Sequence, residues 1–360
     1  MTLLKQATSP EVLNAAWKKT CNDKAIWSQG ISRNEMESDF VYHITKLAED
    51  LKSGSYKPDP VKFFPVDKGN GKQRIISAIT LRDKIAQRAV LAVLQPIGEK
   101  LFHHDSFGYR PGRTIDMVIS RTREYMNCGM EWVLDADIKS YFDNIPHKPL
   151  LKVVKSVVKD REILKLIKLW LDSGTVKRGF LSRSKGIPQG AVISPFLCNI
   201  YLTSWDNDMA KKNLPFVRFA DDFLVFAKSN SAAEKARVYV EKTLNKLGLT
   251  LNDEKTRVSR CGPDVVFLGR NLPKINVQKI QVKKKSFVKS FKEALPKVKK
   301  RTYAWSFKPG RTFAPEMAYV QQRPAHNPVK RSFSKSRRRR SFNDPQRSYR
   351  SFNQERSFNY

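Results

Sequence analysis

The sequence predicts an α+β fold, and three observations support this prediction. The chain has 360 residues, of which 40% are hydrophobic, and this is enough to build a substantial core. Between residues 132 and 269, short hydrophobic strands alternate with segments of helical periodicity. Nearer the N-terminus, two strand-like runs at 61–66 and 74–79 flank a turn at 67–72, which is the pattern of a β-hairpin.

The remaining elements follow from apolar spacing and from helix end signals. Residues 1–54 have helical character, and 82–95 form a helix that we expect to end at Pro96. Ser194 is the expected N-cap of a further helix, with Pro195 at its first position. After residue 270 the chain becomes rich in lysine, with enough apolar residues for a small basic helical unit. From residue 323 it repeats an Arg-Ser-Phe unit with too few aliphatic residues for a core.

The charge balance indicates a polyanionic partner. The formal net charge is +34, from 68 Lys and Arg against 34 Asp and Glu. Each cation that meets a phosphate releases condensed counterions, so nucleic acid is the favoured partner, with an anionic membrane surface as the alternative. The repeated Arg-Ser-Phe unit suits stacking on unpaired bases, and a merely solubilising tail is the alternative.

The cysteines and the hydrophobic pattern indicate the cellular compartment of the protein. Four cysteines lie far apart, without a Cys-x-x-Cys pair, which argues against a zinc site and a disulfide framework. No apolar run reaches the roughly 18 residues of a membrane span, and the N-terminus has no signal-peptide pattern. We therefore expect a cytoplasmic protein with no membrane partner.

Two adjacent carboxylates mark the strongest candidate for chemistry. Asp221 and Asp222 lie in a tight bend between two short apolar strands, at 217–219 and 223–226. Two neighbouring aspartates repel each other unless a cation or solvent screens them, and Asn-Gly would be the easier hairpin turn. The alternative to a cation site is a solvated turn.

A second acidic segment lies upstream. In the run 132–143, strand alternation places Asp135 and Asp137 on one face and apolar residues on the other. One acid here, joined to the Asp221-Asp222 pair on a neighbouring hairpin, suits Mg²⁺, which prefers carboxylate oxygens and is completed by substrate phosphates. Two such ions about 4 Å apart would activate a primer 3′-hydroxyl and stabilise departing pyrophosphate. A structural salt bridge is the alternative for this segment.

Between the two acidic segments lies the loop 186–195, Gly-Ile-Pro-Gln-Gly-Ala-Val-Ile-Ser-Pro. Its glycines allow backbone to approach a ligand closely, although a plain loop before a core helix accounts for most of it. A plain loop does not explain Gln189, for which we expect a further role. No phosphate-binding P-loop is supported, because the glycines at 69 and 71 lack its spacing.

Seven ordered blocks between residues 61 and 270 resemble the bacterial reverse transcriptases of the group II intron type. The resemblance implies a right-hand polymerase of fingers, palm and thumb, with an antiparallel palm sheet and a helical thumb. We expect fingers with an N-terminal helical extension at 1–130, the palm at 131–270, a basic thumb at 271–322 and a low-complexity tail at 323–360. The blocks are Arg74-Ile75-Ile76, residues 106–113, 137–142 and 186–195, the Phe-Ala-Asp-Asp run at 219–222, and residues 251–256 and 267–269.

The resemblance also implies residue roles. Asp137, Asp221 and Asp222 would hold two Mg²⁺ ions, with Mn²⁺ as an alternative, and Lys255 would donate a proton to pyrophosphate. Phe142 matches a steric gate that excludes a ribonucleotide 2′-hydroxyl. The residues expected to seat the incoming nucleotide are Lys72, Arg74, Ile138, Lys139, Phe142 and Gln189. The residues expected to contact nucleic acid are Arg110, Arg113, Phe267, Leu268 and Gly269, the last three as a primer grip. For Arg110 and Arg113, a fold-stabilising ion pair is the alternative.

The implied activity is RNA-directed DNA synthesis from deoxynucleotides on an RNA template, with a DNA product or primer. A cognate noncoding RNA in a bacterial retroelement or phage-defence system is the setting that a compact enzyme of this type suggests. No endonuclease extension, diversity-generating signature or retron accessory motif is recognised in the sequence. The alternatives are an RNA-binding maturase or chaperone that keeps the fold, and an RNA-dependent RNA polymerase.

Overall fold

A computed structural model describes residues 1–67, 73–174 and 185–274. The chain divides into two compact units, Met1–Phe291 and Lys292–Tyr360, and all described residues belong to the first. Lys72, nearly all of the predicted thumb and the whole predicted tail lie outside the described residues. The boundaries proposed for fingers, palm, thumb and tail therefore stay predictions.

The N-terminal region is helical, as predicted. Its second helix begins at Pro10, and the Ser9 side chain caps it by accepting a hydrogen bond from the Val12 amide. The third begins with a capping box in which Ser32 and Glu35 each satisfy the other's backbone amide. The four helices are α1 (Leu3–Ala7), α2 (Pro10–Lys18), α3 (Arg33–Ser38) and α4 (Phe40–Ser53).

The predicted hairpin is present, shifted by one residue at each strand. Strands β1 (Lys62–Asp67) and β2 (Gln73–Ala78) pair antiparallel and form a separate two-stranded sheet. The following helix, α5, spans Leu81–Glu99, so the prediction that it ends at Pro96 was wrong. A Cβ at Gly98 would lie 2.4 Å from the Phe196 ring, so glycine allows the end of α5 to pack closely there. We attribute the continuation past proline to this packing.

The central element is a four-stranded antiparallel sheet, as the predicted fold class requires. Its strand order is β4-β5-β3-β6, with β3 between β5 and β6. A short hairpin of β7 and β8 follows. The strands are β3 (Trp132–Asp137), β4 (Phe216–Phe219), β5 (Asp222–Ala227), β6 (Arg257–Arg260), β7 (Val266–Phe267) and β8 (Arg270–Asn271).

Six further helices surround this sheet within the described residues. They are α6 (Ile115–Asn127), α7 (Tyr141–Asn144), α8 (His147–Val157), α9 (Arg161–Ser173), α10 (Ser194–Lys211) and α11 (Asn230–Lys246). Ser194 was predicted to cap α10, but Ile193 holds the cap position and Ser194 is the first helical residue. The Ser194 hydroxyl instead donates a hydrogen bond to the Pro188 carbonyl, which ties the preceding loop to the helix.

The sheet separates two hydrophobic clusters. On β3, Leu134 and Ala136 belong to the large cluster that includes α10 and α11, whereas Val133 belongs to a smaller cluster with Tyr125 of α6. This alternation confirms the predicted faces of the strand, because neighbouring side chains of a strand point to opposite sides. Asp135 and Asp137 therefore share the face of the smaller cluster. No helix among the described residues is both long and apolar enough to cross a bilayer.

Candidate active site

The site is built on the bend between β4 and β5. Phe219 pairs with Asp222 across the two strands, which leaves Ala220 and Asp221 as a two-residue loop. Ala220 has φ +61°, in the left-handed region that a residue with a side chain rarely adopts. A conformation of this kind persists only where surrounding contacts impose it.

One such contact is the backbone of the segment 105–108. Arg218 of β4 donates its amide hydrogen to the Asp105 carbonyl at 2.9 Å, and its own carbonyl accepts from the Phe107 amide at 2.8 Å. Gly108 then lies directly against the bend, where an added Cβ would be 2.4 Å from the Ala220 nitrogen. Glycine is needed at this position so that the backbone can pass the bend that carries the two carboxylates.

The second contact is a buried hydrogen-bond network centred on Arg218, whose exposed fraction is 0%. Its Nε and Nη2 bind the Asp206 carboxylate at 2.7 and 2.6 Å. Its Nη1 donates to Asn199 Oδ1 at 3.0 Å and to the Ala220 carbonyl at 2.9 Å, and Nη2 also donates to Ser106 Oγ at 2.7 Å. All five guanidinium hydrogens thus have acceptors, and one of these acceptors is the bend itself.

Asp137 lies at the end of β3, directly opposite Asp222 of β5. The Ile138 amide donates to the Asp221 carbonyl at 3.3 Å, so the end of β3 is bonded to the bend. Asp137 Oδ2 accepts from Asn252 Nδ2 at 3.0 Å and lies 3.0 Å from Lys255 Nζ. Asp137 therefore meets the adjacent pair Asp221 and Asp222, which follows more than 80 residues later in the chain.

The electrostatics of this cluster show an excess of negative charge. Burial raises the pKa of Asp222 to about 7, and the Asp221 and Asp137 charges and a hydrogen bond with Asp137 add to the effect. Burial and the Asp137 charge also raise the pKa of Asp221. Lys255 is the cation bonded to the group, and its side chain is 62% exposed. Carboxylate oxygens are the ligands that Mg²⁺ prefers, so these three acids are candidate metal ligands.

Asp135 shares the strand face of Asp137 but has different surroundings. It pairs in register with Leu224 on one side and with Arg257 on the other. Burial raises its pKa to about 6, while the Arg257 charge opposes the shift. Of the two acids that alternation placed together, Asp137 is the one beside the bend.

Phe142, Gln189 and Arg74 lie on segments that border the carboxylates. Phe142 lies in α7, and its ring makes an edge contact with Tyr109 at 6.4 Å between centroids. Gln189 donates to Asp143 Oδ1 at 3.1 Å. Arg74 on β2 is exposed, and its charge lies close enough to lower the pKa of Asp221 in part.

The loop that carries Gln189 is bonded to the β1-β2 hairpin. The Ser77 amide donates to the Gln189 carbonyl at 2.6 Å. Gly190 follows with φ +114°, and a Cβ there would lie 2.5 Å from the Ser77 carbonyl oxygen. This close contact holds β2, and with it Arg74, at a defined position beside the loop.

Ile138 and Lys139, also expected near the nucleotide, differ in exposure. Ile138 is buried, with an exposed fraction of 1%, and contributes its backbone amide to the site. Lys139 is exposed, and its amide donates to the Thr250 carbonyl at 2.9 Å. Lys72 lies outside the described residues.

Arg110 and Arg113 were expected to bind nucleic acid or to stabilise the fold. The Arg110 side chain is 3% exposed and forms an ion pair with Glu99 at 2.8 Å. It also donates to the His103 and Ser106 carbonyls at 2.7 and 2.6 Å. These contacts favour the fold-stabilising alternative for Arg110. Arg113 is partly exposed and lies over the Phe107 ring at 5.5 Å.

The predicted primer grip forms the β7-β8 hairpin. Phe267 pairs with Arg270 and is buried in the smaller hydrophobic cluster. Leu268 and Gly269 form its two-residue turn with φ +51° and +73°, the positive pair found in type I′ turns. Phe267 anchors this hairpin beneath the sheet face that carries Asp137.

Sequence reasoning assigned no supporting role to Gly108, Asn199, Asp206, Arg218 or Asn252, although Gly108 and Asn252 lie within the blocks at 106–113 and 251–256. A signal was present for Arg218, because an arginine in the middle of an apolar strand requires a buried partner. Its partners lie 12, 19 and 112 residues away along the chain, so spacing could not identify them.

A second group, His103, His104 and Asp105, has ligand atoms within 4.8 Å of one another. The two imidazole rings are tilted by 33° with 4.2 Å between centroids, so they lie over each other more than they point at a common ligand. Asp105 is moreover bonded to Arg121 Nε and the Tyr125 hydroxyl, both at 2.6 Å. The three aspartates therefore stay the candidate cation site, in preference to this group.

Residues 66–292 match the family described as reverse transcriptase (RNA-dependent DNA polymerase). The chain is 30% identical over 316 residues to protein YkfC of Escherichia coli K12, covering 75% of this chain and 82% of YkfC. It is 25% identical to the group II intron-encoded protein LtrA of Lactococcus lactis, over 73% of this chain and 55% of LtrA.

Among solved structures, apo telomerase from Candida tropicalis aligns with a TM-score of 0.50 and 15% identity. The alignment covers 68% of this chain and 53% of the telomerase chain. This likeness concerns the fold alone. Together with the family match, it confirms the predicted right-hand polymerase fold and the predicted resemblance to group II intron enzymes.

We expect Asp206→Asn to reduce the free energy of unfolding by about 3 kcal/mol, because it leaves a buried guanidinium without its charge partner. Urea unfolding would measure the loss. Asp208→Asn is the matched control, since Asp208 lies on the same helix in an exposed pair with Lys211. The control should change stability by less than about 0.5 kcal/mol. Equal stability of both variants would contradict the role given to the network.

We expect Asp222→Asn to stabilise the protein at pH 8 in the presence of a chelator. The folded state raises the pKa of Asp222 from its ordinary 3.8 to about 7. The folded state therefore binds this proton more tightly than the unfolded state does. The stabilisation from the bound proton is fully present below about pH 4 and is lost as the pH rises through 7. At pH 8 the substitution removes a charge that is disfavoured by burial and by the Asp221 and Asp137 charges. Near pH 4 it should have little effect, because Asp222 of the original protein is then protonated.

Thermal unfolding at the two pH values would measure this difference. Added Mg²⁺ should stabilise the original protein more than the Asp222→Asn variant. Asp172→Asn, in an exposed pair with Lys168, is the control for loss of one carboxylate. A melting temperature of the Asp222→Asn variant that follows the original protein at both pH values would exclude charge repulsion at this site.

Proposed function

Because this chain belongs to the reverse transcriptase family, whose members are RNA-directed DNA polymerases, we propose that it copies RNA into DNA by a two-metal mechanism. The observation that carries the proposal is the pairing of Asp137 with Asp222 across β3 and β5, with Asp221 in the adjoining bend. Bound by these carboxylates, two Mg²⁺ ions would lower the pKa of a primer 3′-hydroxyl and neutralise charge on the departing pyrophosphate. Mn²⁺ offers the same preference for oxygen ligands.

The supporting network keeps the carboxylates in position while substrates exchange. Arg218 holds the Ala220 carbonyl, and Asn252 holds Asp137 Oδ2. Neither contact uses the Asp221 or Asp222 carboxylates. Preorganised charge of this kind supplies much of the catalysis in phosphoryl transfer.

Lys255 is proposed to donate a proton to pyrophosphate. The neighbouring Asp137 carboxylate raises the Lys255 pKa, although burial opposes the shift, so the amine is charged at neutral pH. Its exposed side chain can turn from Asp137 towards a phosphate. Arg74, held on β2 beside the Gln189 loop, is proposed to pair with the triphosphate of the incoming nucleotide.

Phe142 is proposed to exclude ribonucleotides. Its ring is restrained by Tyr109 and by its neighbour Tyr141, and its carbonyl accepts from the Ile187 amide at 2.7 Å. Gln189 lies on the same loop as Ile187, so the proposed gate and the proposed nucleotide contact are joined by one backbone hydrogen bond. A ring held in this way could discriminate against a 2′-hydroxyl by steric overlap.

We propose a dedicated noncoding RNA of a bacterial retroelement or phage-defence system as template, in the cytoplasm. Supporting this are the relatives named above and the net charge of +34. Sequencing the nucleic acids that copurify with the protein would identify template and product together. Recovery of DNA copied from one abundant RNA is the expected result, whereas RNA without any DNA copy would favour a maturase or chaperone.

We expect Asp221→Ala to abolish primer extension on an RNA template with Mg²⁺, a fall of at least about a thousandfold, because one metal ligand is lost. Asp253→Ala removes an exposed acid from the loop beside Asp137 and is the control. Equal extension by the Asp221→Ala variant and the original enzyme would end the proposal.

We expect Phe142→Ala to admit ribonucleotides, because the ring that excludes the 2′-hydroxyl is removed. The ratio of kcat/KM for deoxynucleotide over ribonucleotide should fall by about tenfold or more, corresponding to roughly 1.4 kcal/mol. Phe142→Tyr keeps the bulk and should preserve the ratio. Preference of the original enzyme for ribonucleotides would instead identify an RNA polymerase.

A further inference from the structure

Helix α7, which carries Phe142, is joined by backbone hydrogen bonds to the loop that carries Gln189. The Ile187 amide donates to the Phe142 carbonyl at 2.7 Å, and the Gly186 amide donates to the Ile145 carbonyl at 2.8 Å. Both bonds run between main chains, so they do not depend on the side chains that border the site. They hold the backbone of the loop at a defined place beside the proposed gate.

The main chain at Gln189 is fixed a second time, by strand β2. Its carbonyl accepts from the Ser77 amide at 2.6 Å. At the next residue, Gly190, an added Cβ would lie 2.5 Å from the Ser77 carbonyl oxygen. The Gln189 side chain is only partly buried, and three torsions separate its amide from the backbone. The backbone alone therefore does not decide where the amide points.

The Gln189 amide is held by the residue that follows Phe142 in the chain. Gln189 Nε2 donates a hydrogen bond to Asp143 Oδ1 at 3.1 Å. An ionised carboxylate accepts hydrogen bonds and donates none, so Asp143 must meet the nitrogen of the amide and not its oxygen. This contact therefore sets both the direction of the Gln189 side chain and the end of the amide that faces α7.

Asp143 is a well-placed acceptor because its own backbone is fixed. Its amide donates to the Ser140 carbonyl at 3.0 Å. In addition, a Cβ at Gly186 would lie 3.3 Å from the Asp143 carbonyl oxygen, so the loop passes close to this backbone. The Asp143 side chain has two torsions, which leaves its carboxylate less freedom than the longer Gln189 side chain has. The order of this pair of side chains therefore comes from Asp143.

We propose that Asp143 is a positioning residue for nucleotide addition, which holds the Gln189 amide in the orientation that receives the incoming nucleotide. The proposal rests on the proposed function, in which Gln189 contacts that nucleotide. Without Asp143, the amide would become ordered only when the nucleotide binds, and this ordering would weaken nucleotide binding. Phe142 would keep its backbone hydrogen bond to Ile187, so the selection of deoxynucleotides would not depend on Asp143.

The test measures primer extension with Mg²⁺ over a range of deoxynucleotide concentrations. We expect Asp143→Ala to raise KM for the deoxynucleotide by about threefold to tenfold, which corresponds to ordering one side chain, and to change kcat by less than about twofold. Asp143→Asn keeps an oxygen acceptor without the charge and should leave KM within about twofold of the original value. Asp253→Ala, which removes an exposed acid from the loop beside Asp137, should do the same.

Loss of charge cannot produce the expected rise in KM. Removing a negative charge near the site would make the site more attractive to a triphosphate, and this would lower KM. The difference in KM between Asp143→Ala and Asp143→Asn therefore reports the hydrogen bond to Gln189.

A double-mutant cycle separates positioning from a merely structural role. Gln189→Ala should raise KM by itself. Asp143→Ala added to it should raise KM by less than about 1.5-fold further, because the amide that Asp143 holds is already absent. A full second increase would overturn the proposal, since Asp143 would then act through some other contact.

Two other kinetic results would overturn the proposal. If Asp143→Ala leaves KM unchanged or lowers it, Asp143 does not prepare Gln189 for the nucleotide. If Asp143→Ala lowers the ratio of kcat/KM for deoxynucleotide over ribonucleotide, Asp143 acts through Phe142 instead.

A measurement without catalysis distinguishes failure of this proposal from failure of the proposed function. In NMR spectra of isotope-labelled protein, the side-chain amide resonance of Gln189 is identified by its loss in Gln189→Ala. We expect this resonance to shift in Asp143→Ala and to shift less in Asp143→Asn. Absence of primer extension by the original protein would end the proposed function. An unshifted resonance in Asp143→Ala would end the positioning role of Asp143, whether or not the protein extends primers.

Discussion

The bend that carries Asp221 and Asp222 depends on one buried ion pair, between Arg218 and Asp206. Both side chains have an exposed fraction of 0%, and an isolated charge at such depth would be strongly unfavourable. Arg218 therefore needs every acceptor it has, and these come from α10, from the segment 105–108 and from the bend itself. The left-handed Ala220 is maintained because moving it would leave a buried donor without a partner.

The acids at the bend of the same hairpin have the opposite electrostatic surroundings. The Arg218–Asp206 pair is neutralised within the protein, but among the described residues Lys255 is the one cation that forms an ion pair with the cluster of Asp137, Asp221 and Asp222. Burial raises the pKa values of Asp221 and Asp222, and the charges of the neighbouring acids raise them further. Neutral networks around a charged cluster make a rigid frame for the proposed cation site.

Positive charge in this protein has two distinct uses. Arg110 and Arg218 are buried and bind carboxylates and carbonyls, so they stabilise the fold. Lys139, Lys148 and Lys155 are exposed and face solvent, where they can attract a polyanion. A net charge of +34 by itself does not separate these uses, since burial and the nearest acid decide which applies to each residue.

The sequence by itself determined the α+β class, the strand faces of β3 and the bend with its two carboxylates. These are local features, because strand alternation and apolar spacing depend on neighbours in the chain. The resemblance in seven ordered blocks singled out Asp137 and implied the polymerase fold. The family match confirmed the fold. The local helix-end signals at Pro96 and Ser194 were less reliable. Helix α5 continues past Pro96, where packing prevailed. The Ser194 hydroxyl binds the Pro188 carbonyl instead of capping α10.

Only the tertiary structure decided which residues support the carboxylates. Asn252 reaches Asp137 across 115 positions, and Ser106 reaches Arg218 across 112. The tertiary structure also distinguished Asp135 from Asp137. Both acids lie on one face of β3, but Asp135 pairs in register with Arg257 of the neighbouring strand. Contacts of this kind arise when strands and helices pack, and the energy of a buried polar group depends on partners that periodicity does not specify.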